Sequence, residues 1–377
     1  MNMHASQLDP DCLQPRTPAP TPALRRLTVG VVGPGRVGSA LLEQLRAARE
    51  RLRREQHIDV HLRVVADSRR MWLDSDDDAL NARHGGAQTW RPSSLDDVAA
   101  CLHGAPGAVI VDCSASEAVA ARYADWLAAG LHVVTPNKLA PSGPLPHWRA
   151  LQDLARTQRV QLRYEATVGA GLPVVQTLRD LLDTGDELIA LEGMLSGTLA
   201  WLCDAYDGQR PFSALVREAH ELGYTEPDPR ADLDGLDVAR KLVILARESG
   251  RGLSLDDVSV QSLVPDALRH VDREHFMDHL HLLDAPMAAR HAEAAAQGAV
   301  LRHVGRLDAD GRAHVGLVAL PAGHAFAQAR GADNIVQFHT RRYADTPLRV
   351  QGPGAGPDVT AGGVFTDLLR VAAEARA

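Results

Sequence analysis

The chain has 377 residues, too many for one ordinary hydrophobic core, and 45% of them are hydrophobic, which is typical of a globular protein with two or more domains. Its formal net charge of -8 provides no overall positive field to attract a nucleic acid or an anionic membrane. No apolar run approaches the ~20 residues of a membrane span. We therefore expect a small-molecule partner, no nucleic acid and no membrane.

The N-terminal segment and the cysteines bear on the compartment. Residues 1–24 contain five prolines and few apolar side chains, so we expect a disordered extension without a secretory signal. Thiols in a reducing cytoplasm are the simplest interpretation of the cysteines, which predicts a cytoplasmic protein. No CxxC pair or metal-finger spacing occurs among them, and they are Cys12, Cys101, Cys113 and Cys203.

A strand, a glycine turn and a helix follow the extension. Residues 27–32 are apolar and largely β-branched, and Gly33-Pro-Gly-Arg-Val-Gly38 comes directly after them. A helical pattern continues through Leu41 and Leu45. In this context Gly33 allows the tight turn, Gly35 lets the backbone approach a pyrophosphate, and Gly38 permits close helix packing. The segment therefore predicts a dinucleotide site.

The alternation of strands and helices predicts a parallel sheet. Apolar strand candidates at 60–66, 108–112 and 131–135 are separated by amphipathic helical patterns. We expect a doubly wound Rossmann domain over residues 25–160.

The order of elements changes beyond residue 160. A strand candidate lies at 188–195, helical patterns at 199–222 and 235–249, and further strand candidates at 300–306, 313–320 and 334–340. We expect a mixed α+β domain over residues 161–345. Residues 346–377 read as a glycine loop followed by a helix.

Polar residues at strand ends leave several alternatives open. Asp67 ends the second strand and is either a ligand of the NAD ribose or a turn former, while Arg69 and Arg70 after it would suit the extra phosphate of NADP. Cys113 directly follows the third strand, and a small buried residue is favoured over a nucleophile because no histidine lies in its loop. Lys138 follows the next strand and, without further information, is best read as an exposed loop lysine.

Asp237 and Lys241 have the i, i+4 spacing of a helical ion pair. They lie opposite the apolar side of the helix predicted at 235–249. Spacing alone favours a surface pair of small energetic value. The 17 histidines show no HExxH spacing, so a catalytic zinc site is not expected.

Four separated segments together resemble homoserine dehydrogenase. They are Gly33-Pro-Gly-Arg-Val-Gly38, Thr135-Pro-Asn-Lys138, Glu165-Ala-Thr-Val-Gly-Ala-Gly-Leu-Pro173, and Leu222-Gly-Tyr-Thr-Glu-Pro-Asp-Pro-Arg230 with its continuation to Lys241. The tail from Gln351 to Gly363 is similar to the dehydrogenase half of fused aspartokinase enzymes. The resemblance covers residue 27 to the end.

The resemblance implies an activity and an assembly. The expected reaction is the interconversion of L-homoserine and L-aspartate 4-semialdehyde with NAD or NADP, in threonine, methionine and isoleucine biosynthesis. The expected architecture is a Rossmann domain and a catalytic, dimerising domain in a homodimer, with the tail helix returning to the first domain. Because the sequence ends at Ala377, we expect no appended threonine-binding domain of ~70 residues.

The resemblance also implies residue roles. Lys241 would exchange the proton, supported by Asp237, and Glu226 would receive the substrate ammonium. Other substrate positions are Thr198, Tyr224 and Asp232. Positions around the cofactor, besides the three glycines of the turn, are Arg36, Val37, Ser114, Lys138 and Gly356.

A sodium site is implied at the loop that begins at residue 165. The positions that match the family's sodium ligands are Glu165, Val168, Ala170 and Leu172. Gly169 and Gly171 can supply the loop shape that main-chain ligands need. Two departures from the family pattern, Ala200 and Leu139, remove no residue in a named role.

The residue types suit this chemistry. Reduction of an aldehyde places negative charge on its oxygen, which an adjacent ammonium such as that of Lys241 can stabilise before it delivers a proton. Two alternatives stay open: a semialdehyde dehydrogenase acting through Cys113, and a dinucleotide sensor without activity.

Overall fold

The structure, a computed structural model, describes residues 23–73 and 90–374. The elements of the first half are, in chain order, β1 (Arg25–Val32), α1 (Arg36–Arg51), β2 (Ile58–Ala66), β3 (Arg70–Leu73), β4 (Trp90–Pro92), α2 (Leu95–Leu102), β5 (Val109–Asp112), α3 (Glu117–Ala120), α4 (Tyr123–Ala128), β6 (His132–Val134), α5 (Leu139–Ser142), α6 (Leu145–Gln158) and β7 (Leu162–Arg163). Most of the predicted extension, residues 1–22, lies outside the described residues.

The elements of the second half follow a 3-10 turn at Glu165–Thr167. They are α7 (Val174–Asp183), β8 (Leu188–Met194), α8 (Gly197–Ala205), α9 (Phe212–Glu221), α10 (Arg230–Leu233), α11 (Leu236–Glu248), β9 (Val258–Val260), α12 (Arg273–Asp278), α13 (Asp284–Ala296), β10 (Ala299–Leu307), β11 (Ala313–Pro321), β12 (Asp333–Thr340), β13 (Leu348–Pro353) and α14 (Pro357–Glu374).

The first sheet has the strand order β4-β3-β2-β1-β5-β6-β7 in the described part of the chain. The five strands from β2 to β7 in this order are parallel, and the doubly wound domain predicted from sequence is confirmed. One correction concerns the edge, because β3 and β4 are antiparallel to their neighbours. The strand order reverses between β1 and β5, and ligands bind beyond the carboxyl ends of the strands at such a point.

The C-terminal helix α14 packs beside α1 on this first sheet. Its side chains Ala361, Val364 and Leu368 are fully buried and share one apolar cluster with Leu41 and Leu45 of α1. Helix α14 therefore fastens the end of the described chain to the helix that follows the glycine turn.

The second sheet has the order β13-β12-β8-β10-β11-β9 among the described residues. Its strands are antiparallel apart from the β9–β11 pair, which is parallel. The helical pattern predicted at 199–222 is two helices, α8 and α9. The segment from 348 to 353, read as a loop because of its glycine and proline, is strand β13, and β9, α12 and α13 were not predicted.

Near both predicted domain boundaries, a short segment pairs with the sheet of the neighbouring domain. Strand β7 lies beyond residue 160 but pairs with β6 of the first sheet, and β13 lies beyond residue 345 but pairs with β12 of the second. Within residues 23–73 and 90–374 no helix is long and apolar enough to cross a membrane.

Candidate active site

The glycine turn lies at the carboxyl end of β1. Gly33 has a φ of +83°, and a Cβ added there would lie 2.8 Å from the backbone nitrogen of Ser114. A Cβ at Gly38 would lie 2.4 Å from the carbonyl oxygen of Gly33. A Cβ at Gly35 would meet nothing within 4 Å, so the N-terminus of the 16-residue helix α1 is open to a ligand. Exposed Arg36 and partly buried Val37 begin that helix.

A buried carboxylate beside the turn ties two loops together. Asp112 ends β5, and its Oδ1 accepts hydrogen bonds from the backbone nitrogen (2.8 Å) and the hydroxyl (2.6 Å) of Ser114. Its Oδ2 accepts from the Tyr123 hydroxyl at 2.6 Å and the Asn137 amide at 3.1 Å. Burial raises the pKa of Asp112, although these hydrogen bonds oppose the rise. The carboxylate therefore positions the loop of Ser114 and the residue before Lys138 at once.

Lys138, Asp237 and Lys241 come together across the two halves of the chain. The Nζ of Lys138 lies 3.3 Å from Oδ1 of Asp237, and the Nζ of Lys241 lies 2.8 Å from its Oδ2. Lys241 also donates a hydrogen bond of 2.6 Å to the carbonyl oxygen of Leu195, just after β8. Lys241 is 9% exposed, which is not the environment of a surface ion pair.

Two opposing effects act on Asp237. Burial acts to raise its pKa, but the charges of Lys241 and Lys138 and their hydrogen bonds outweigh burial and hold the pKa well below its usual range. Asp237 is therefore an anion at neutral pH and can hold both lysine side chains in place.

The composition of the chain supports a special use of these two lysines. Of the 40 lysine and arginine residues only two are lysines, and both contact Asp237. An arginine side chain does not lose its proton near neutral pH, whereas a lysine side chain can. Both lysines of the chain therefore lie at the same carboxylate.

The predicted substrate residues near the Asp237 carboxylate are connected to one another by hydrogen bonds. The Thr198 hydroxyl lies 2.6 Å from the carbonyl oxygen of Tyr224 and 3.0 Å from Oδ1 of Asp232, and Oδ2 of Asp232 accepts from the backbone nitrogen of Glu226 at 2.8 Å. Burial raises the pKa of Asp232 to about 6, and the charges of Glu226 and Asp237 add to the rise. The side chains of Glu226 and Tyr224 are exposed.

The loop after the Glu165–Thr167 turn is held by its own residues. The buried carboxylate of Glu165 accepts hydrogen bonds from the backbone nitrogens of Val175 (2.8 Å) and Gln176 (2.9 Å) at the start of α7. Burial raises the pKa of Glu165 to about 7. The carbonyl oxygen of Leu172 accepts from Val174 at 2.8 Å, and Val168 and Ala170 are buried. No cluster of three or more acidic, histidine or cysteine side chains suited to a metal occurs in the described part of the chain.

Two further positions considered from sequence are Gly356 and Asp67. Gly356 precedes α14 and is exposed, and its carbonyl oxygen accepts from Thr360 at 3.0 Å. Oδ1 of Asp67 accepts from the backbone nitrogens of Arg69 (2.7 Å) and Arg70 (2.8 Å). A cavity of about 620 Å³ is lined by residues 67–70.

Comparison with known proteins identifies the family. A model named homoserine dehydrogenase matches residues 173–369, and one named homoserine dehydrogenase, NAD binding domain matches residues 33–165. The chain belongs to the homoserine dehydrogenase family. A homoserine dehydrogenase of Paracoccidioides brasiliensis is 38% identical over 92% of this chain and 98% of its own.

Some relatives are longer than this chain. The bifunctional aspartokinase/homoserine dehydrogenase 1 of Zea mays, described as chloroplastic, is 47% identical over 92% of this chain. The chain spans 38% of the length of that protein. A solved Candida auris protein of unknown function is 33% identical with a TM-score of 0.85, over 93% of this chain and 99% of its own.

The predicted resemblance is thus confirmed, while the roles of single residues stay predictions. Sequence reasoning missed Asp112, Tyr123 and Asn137, although a carboxylate at the end of a buried strand was a usable signal. It also missed that the chain contains only two lysines. Cys113, favoured from sequence as a small buried residue, is only partly buried in the structure, although burial of its thiol raises the pKa to about 12.

Proposed function

We propose that the protein is a homoserine dehydrogenase that interconverts L-homoserine and L-aspartate 4-semialdehyde with a nicotinamide dinucleotide. The observation that carries the proposal is the joint contact of Lys138 and Lys241, the two lysines of the chain, with Asp237. A lysine in a surface ion pair has no need to be buried. A lysine that stabilises a developing oxyanion and donates a proton to it acts most strongly where water is excluded.

The residues at the glycine turn fit the dinucleotide. The open space at Gly35 and the N-terminus of α1 are the features that accommodate a pyrophosphate, and the close approaches at Gly33 and Gly38 allow the tight turn and the helix packing beneath it. When bound, the nicotinamide ring supplies the hydride acceptor or donor.

Lys241 can move the proton in both directions. In oxidation, the substrate hydroxyl gives its proton to the neutral amine of Lys241 while the C–H hydrogen leaves with its electron pair, and the carbon becomes an aldehyde. In reduction, the Lys241 ammonium stabilises negative charge on the aldehyde oxygen and then protonates it. The Leu195 carbonyl and Asp237 orient this ammonium.

Asp237 and Lys138 position Lys241 and charge the site. Because Asp237 is held between two cations, its carboxylate cannot rotate freely away from Lys241. Lys138 brings a second positive charge from the loop that also contains Asn137. We propose that this charge faces the bound cofactor, because Lys138 matches a position around the cofactor in the family.

Two alternatives can be tested with the same assay. A semialdehyde dehydrogenase acting through Cys113 is disfavoured because burial keeps that thiol protonated. Initial rates should be measured with homoserine and with aspartate semialdehyde, each against NAD(H) and NADP(H). Turnover of both without phosphate is the expected result. A phosphate requirement would favour the Cys113 enzyme, and binding without turnover would favour a sensor.

We also propose NADP(H) as the preferred cofactor. The Arg69 side chain is exposed at the cavity beyond β2 and has no ion pair within the described residues, so it is available to a phosphate. The guanidinium group of Arg70 instead stacks on Trp90, with its Cζ 4.4 Å from the ring centroid. Its Nε lies 3.5 Å from Oδ2 of Asp67.

Replacing Arg69 by glutamine tests this preference. Loss of a charge-assisted contact to the 2′-phosphate should raise the KM for NADPH about tenfold and change the KM for NADH little. NADH serves as the internal control because it lacks that phosphate. Equal effects on both cofactors would contradict a phosphate role for Arg69.

A sodium ion near residues 165–172 stays a proposal with a restriction. Because the Glu165 carboxylate is already bonded to the start of α7, an ion there would need main-chain oxygens as ligands. Gly169 and Ala170, with φ values of +75° and +54°, give the loop the bent backbone that could turn such oxygens inward.

The homodimer is proposed through the second sheet. Glu192, Arg306 and His339 of this sheet line a cavity of about 390 Å³, and the exposed side chain of Ile189 lines it as well. Sedimentation analysis should give twice the mass of one chain, and a monomer at micromolar concentration would contradict the assembly.

A cytoplasmic location and a role in threonine, methionine and isoleucine biosynthesis likewise stay proposals.

A further inference from the structure

The buried side-chain amide of Asn334 lies beside the loop that precedes α14 and lacks hydrogen-bond partners among the described residues. Asn334 in β12 is 0% exposed, and neither its Nδ2 nor its Oδ1 has a hydrogen-bond partner within the described residues. A buried amide without partners destabilises a protein, because it loses its hydrogen bonds to water without replacement. Such groups therefore require an explanation.

The amide of Asn334 faces Gly354. A Cβ added to Gly354 would lie 2.1 Å from Cγ and 2.2 Å from Nδ2 of Asn334, so glycine is required at this position. The backbone of Gly354 therefore lies directly beside the side chain of Asn334. Peptide groups flanked by glycine rotate at low cost, and the loop contains Gly354 and Gly356.

Residues 354–356, here called the tail loop, lie between β13 and α14 and connect both sides of the site. Ala355 lies near Gly197 at the start of α8, the helix that contains Thr198, since a Cβ at Gly197 would be 3.8 Å from Cβ of Ala355. At its other end the tail loop leads into α14, where the carbonyl oxygen of Asp358 accepts from the Gln44 amide of α1 at 2.8 Å. A shift of the tail loop therefore affects the cofactor and substrate sides together.

We propose that Asn334 is a positioning residue for dinucleotide binding. Its side-chain amide forms hydrogen bonds with peptide groups of the tail loop when this loop closes on the cofactor. The bonds that the amide lacks in the described state are made in the bound state. The ligand-free protein is accordingly less stable than it would be with an apolar residue there, and the hydrogen bonds formed on closure add to the free energy of dinucleotide binding. The inference rests on the proposed function.

The variant Asn334→Leu separates this role from a structural one. Leucine has the same number and branching of side-chain heavy atoms and no hydrogen-bonding group, so the melting temperature of the ligand-free protein should rise by roughly 2 °C or more. The Kd for NADPH should rise at least about tenfold, and the KM for the cofactor should rise more than kcat falls. A lower melting temperature with an unchanged Kd would mean that the amide is satisfied in the free protein, and would overturn the proposal.

Thr340→Val is the matched control in the same strand. Thr340 is also 0% exposed, but its hydroxyl donates a hydrogen bond of 2.7 Å to Asp186. Removal of this satisfied group should lower the melting temperature and leave the Kd for NADPH unchanged. The opposite signs of the two stability changes identify the unpartnered amide.

Hydrogen exchange of the wild-type chain keeps the test independent of any variant that fails to fold. NADPH should slow the exchange of the backbone amides of Gly354, Ala355 and Gly356. Unchanged exchange with NADPH bound would overturn the inference alone. Failure of the wild-type protein to bind either NADPH or NADH would overturn the proposed function and the inference with it.

Discussion

Replacing Lys241 by alanine is expected to lower turnover of homoserine by a factor of about 100 or more and to leave the Kd of the cofactor nearly unchanged. General acid–base catalysis by one positioned group contributes about 100- to 10,000-fold. The side chain of Lys241 is bonded to Leu195 and Asp237, neither of which is in the glycine turn. Steady-state rates at saturating homoserine and a fluorescence titration with NADPH measure the two effects.

Two control variants give this experiment its meaning. Lys241→Arg keeps a positive charge but cannot release its proton near neutral pH, so it should remain at least about 100-fold slower if proton transfer is the role. Arg156→Ala removes a genuinely exposed ion pair with Asp153 and should leave turnover unchanged. Retention of more than about a tenth of wild-type turnover in Lys241→Ala would refute the mechanism.

Local sequence signals predicted the first sheet well and the second poorly. The run of buried side chains in β1 and the glycine turn are properties of adjacent residues, so a short window reveals them. Strand β13 exists because β12 pairs with it from Asp333 to Phe338, which a sequence window containing glycine and proline cannot reveal. The antiparallel edge strands β3 and β4 are likewise short and separated along the chain.

The same limit applies to the site. The spacing of Asp237 and Lys241 predicted a helical pair, but spacing cannot tell whether the lysine is buried. Burial depends on how α11 packs in the folded chain, where the Lys241 ammonium reaches the carbonyl oxygen of Leu195, and Lys138 reaches Asp237 only through packing of the two halves of the chain. Only the family resemblance pointed to a catalytic use, because it relates positions that the fold brings together.

Replacing Glu226 by glutamine is expected to raise the KM for homoserine about 10- to 100-fold and to lower kcat much less. The proposed partner of this carboxylate is the substrate ammonium, which is remote from the reacting carbon, and loss of one charge-assisted hydrogen bond costs about 1.5–3 kcal/mol. The loop itself should survive, because the backbone nitrogen of Glu226 is what bonds Asp232, and glutamine retains it. Steady-state kinetics with varied homoserine measures both constants.

A second readout shows whether the loop is intact in Glu226→Gln. Burial is the main cause of the raised pKa of Asp232, and the charge of Glu226 is one of the smaller contributions. Loss of that charge should therefore lower the pKa of Asp232 slightly, while a disrupted loop would expose Asp232 and lower its pKa much further. Glu221→Gln, at an exposed carboxylate at the end of α9, controls for the change in net charge and should leave KM unchanged. A loss confined to kcat in Glu226→Gln would place Glu226 in the chemical step and contradict its assignment to the substrate ammonium.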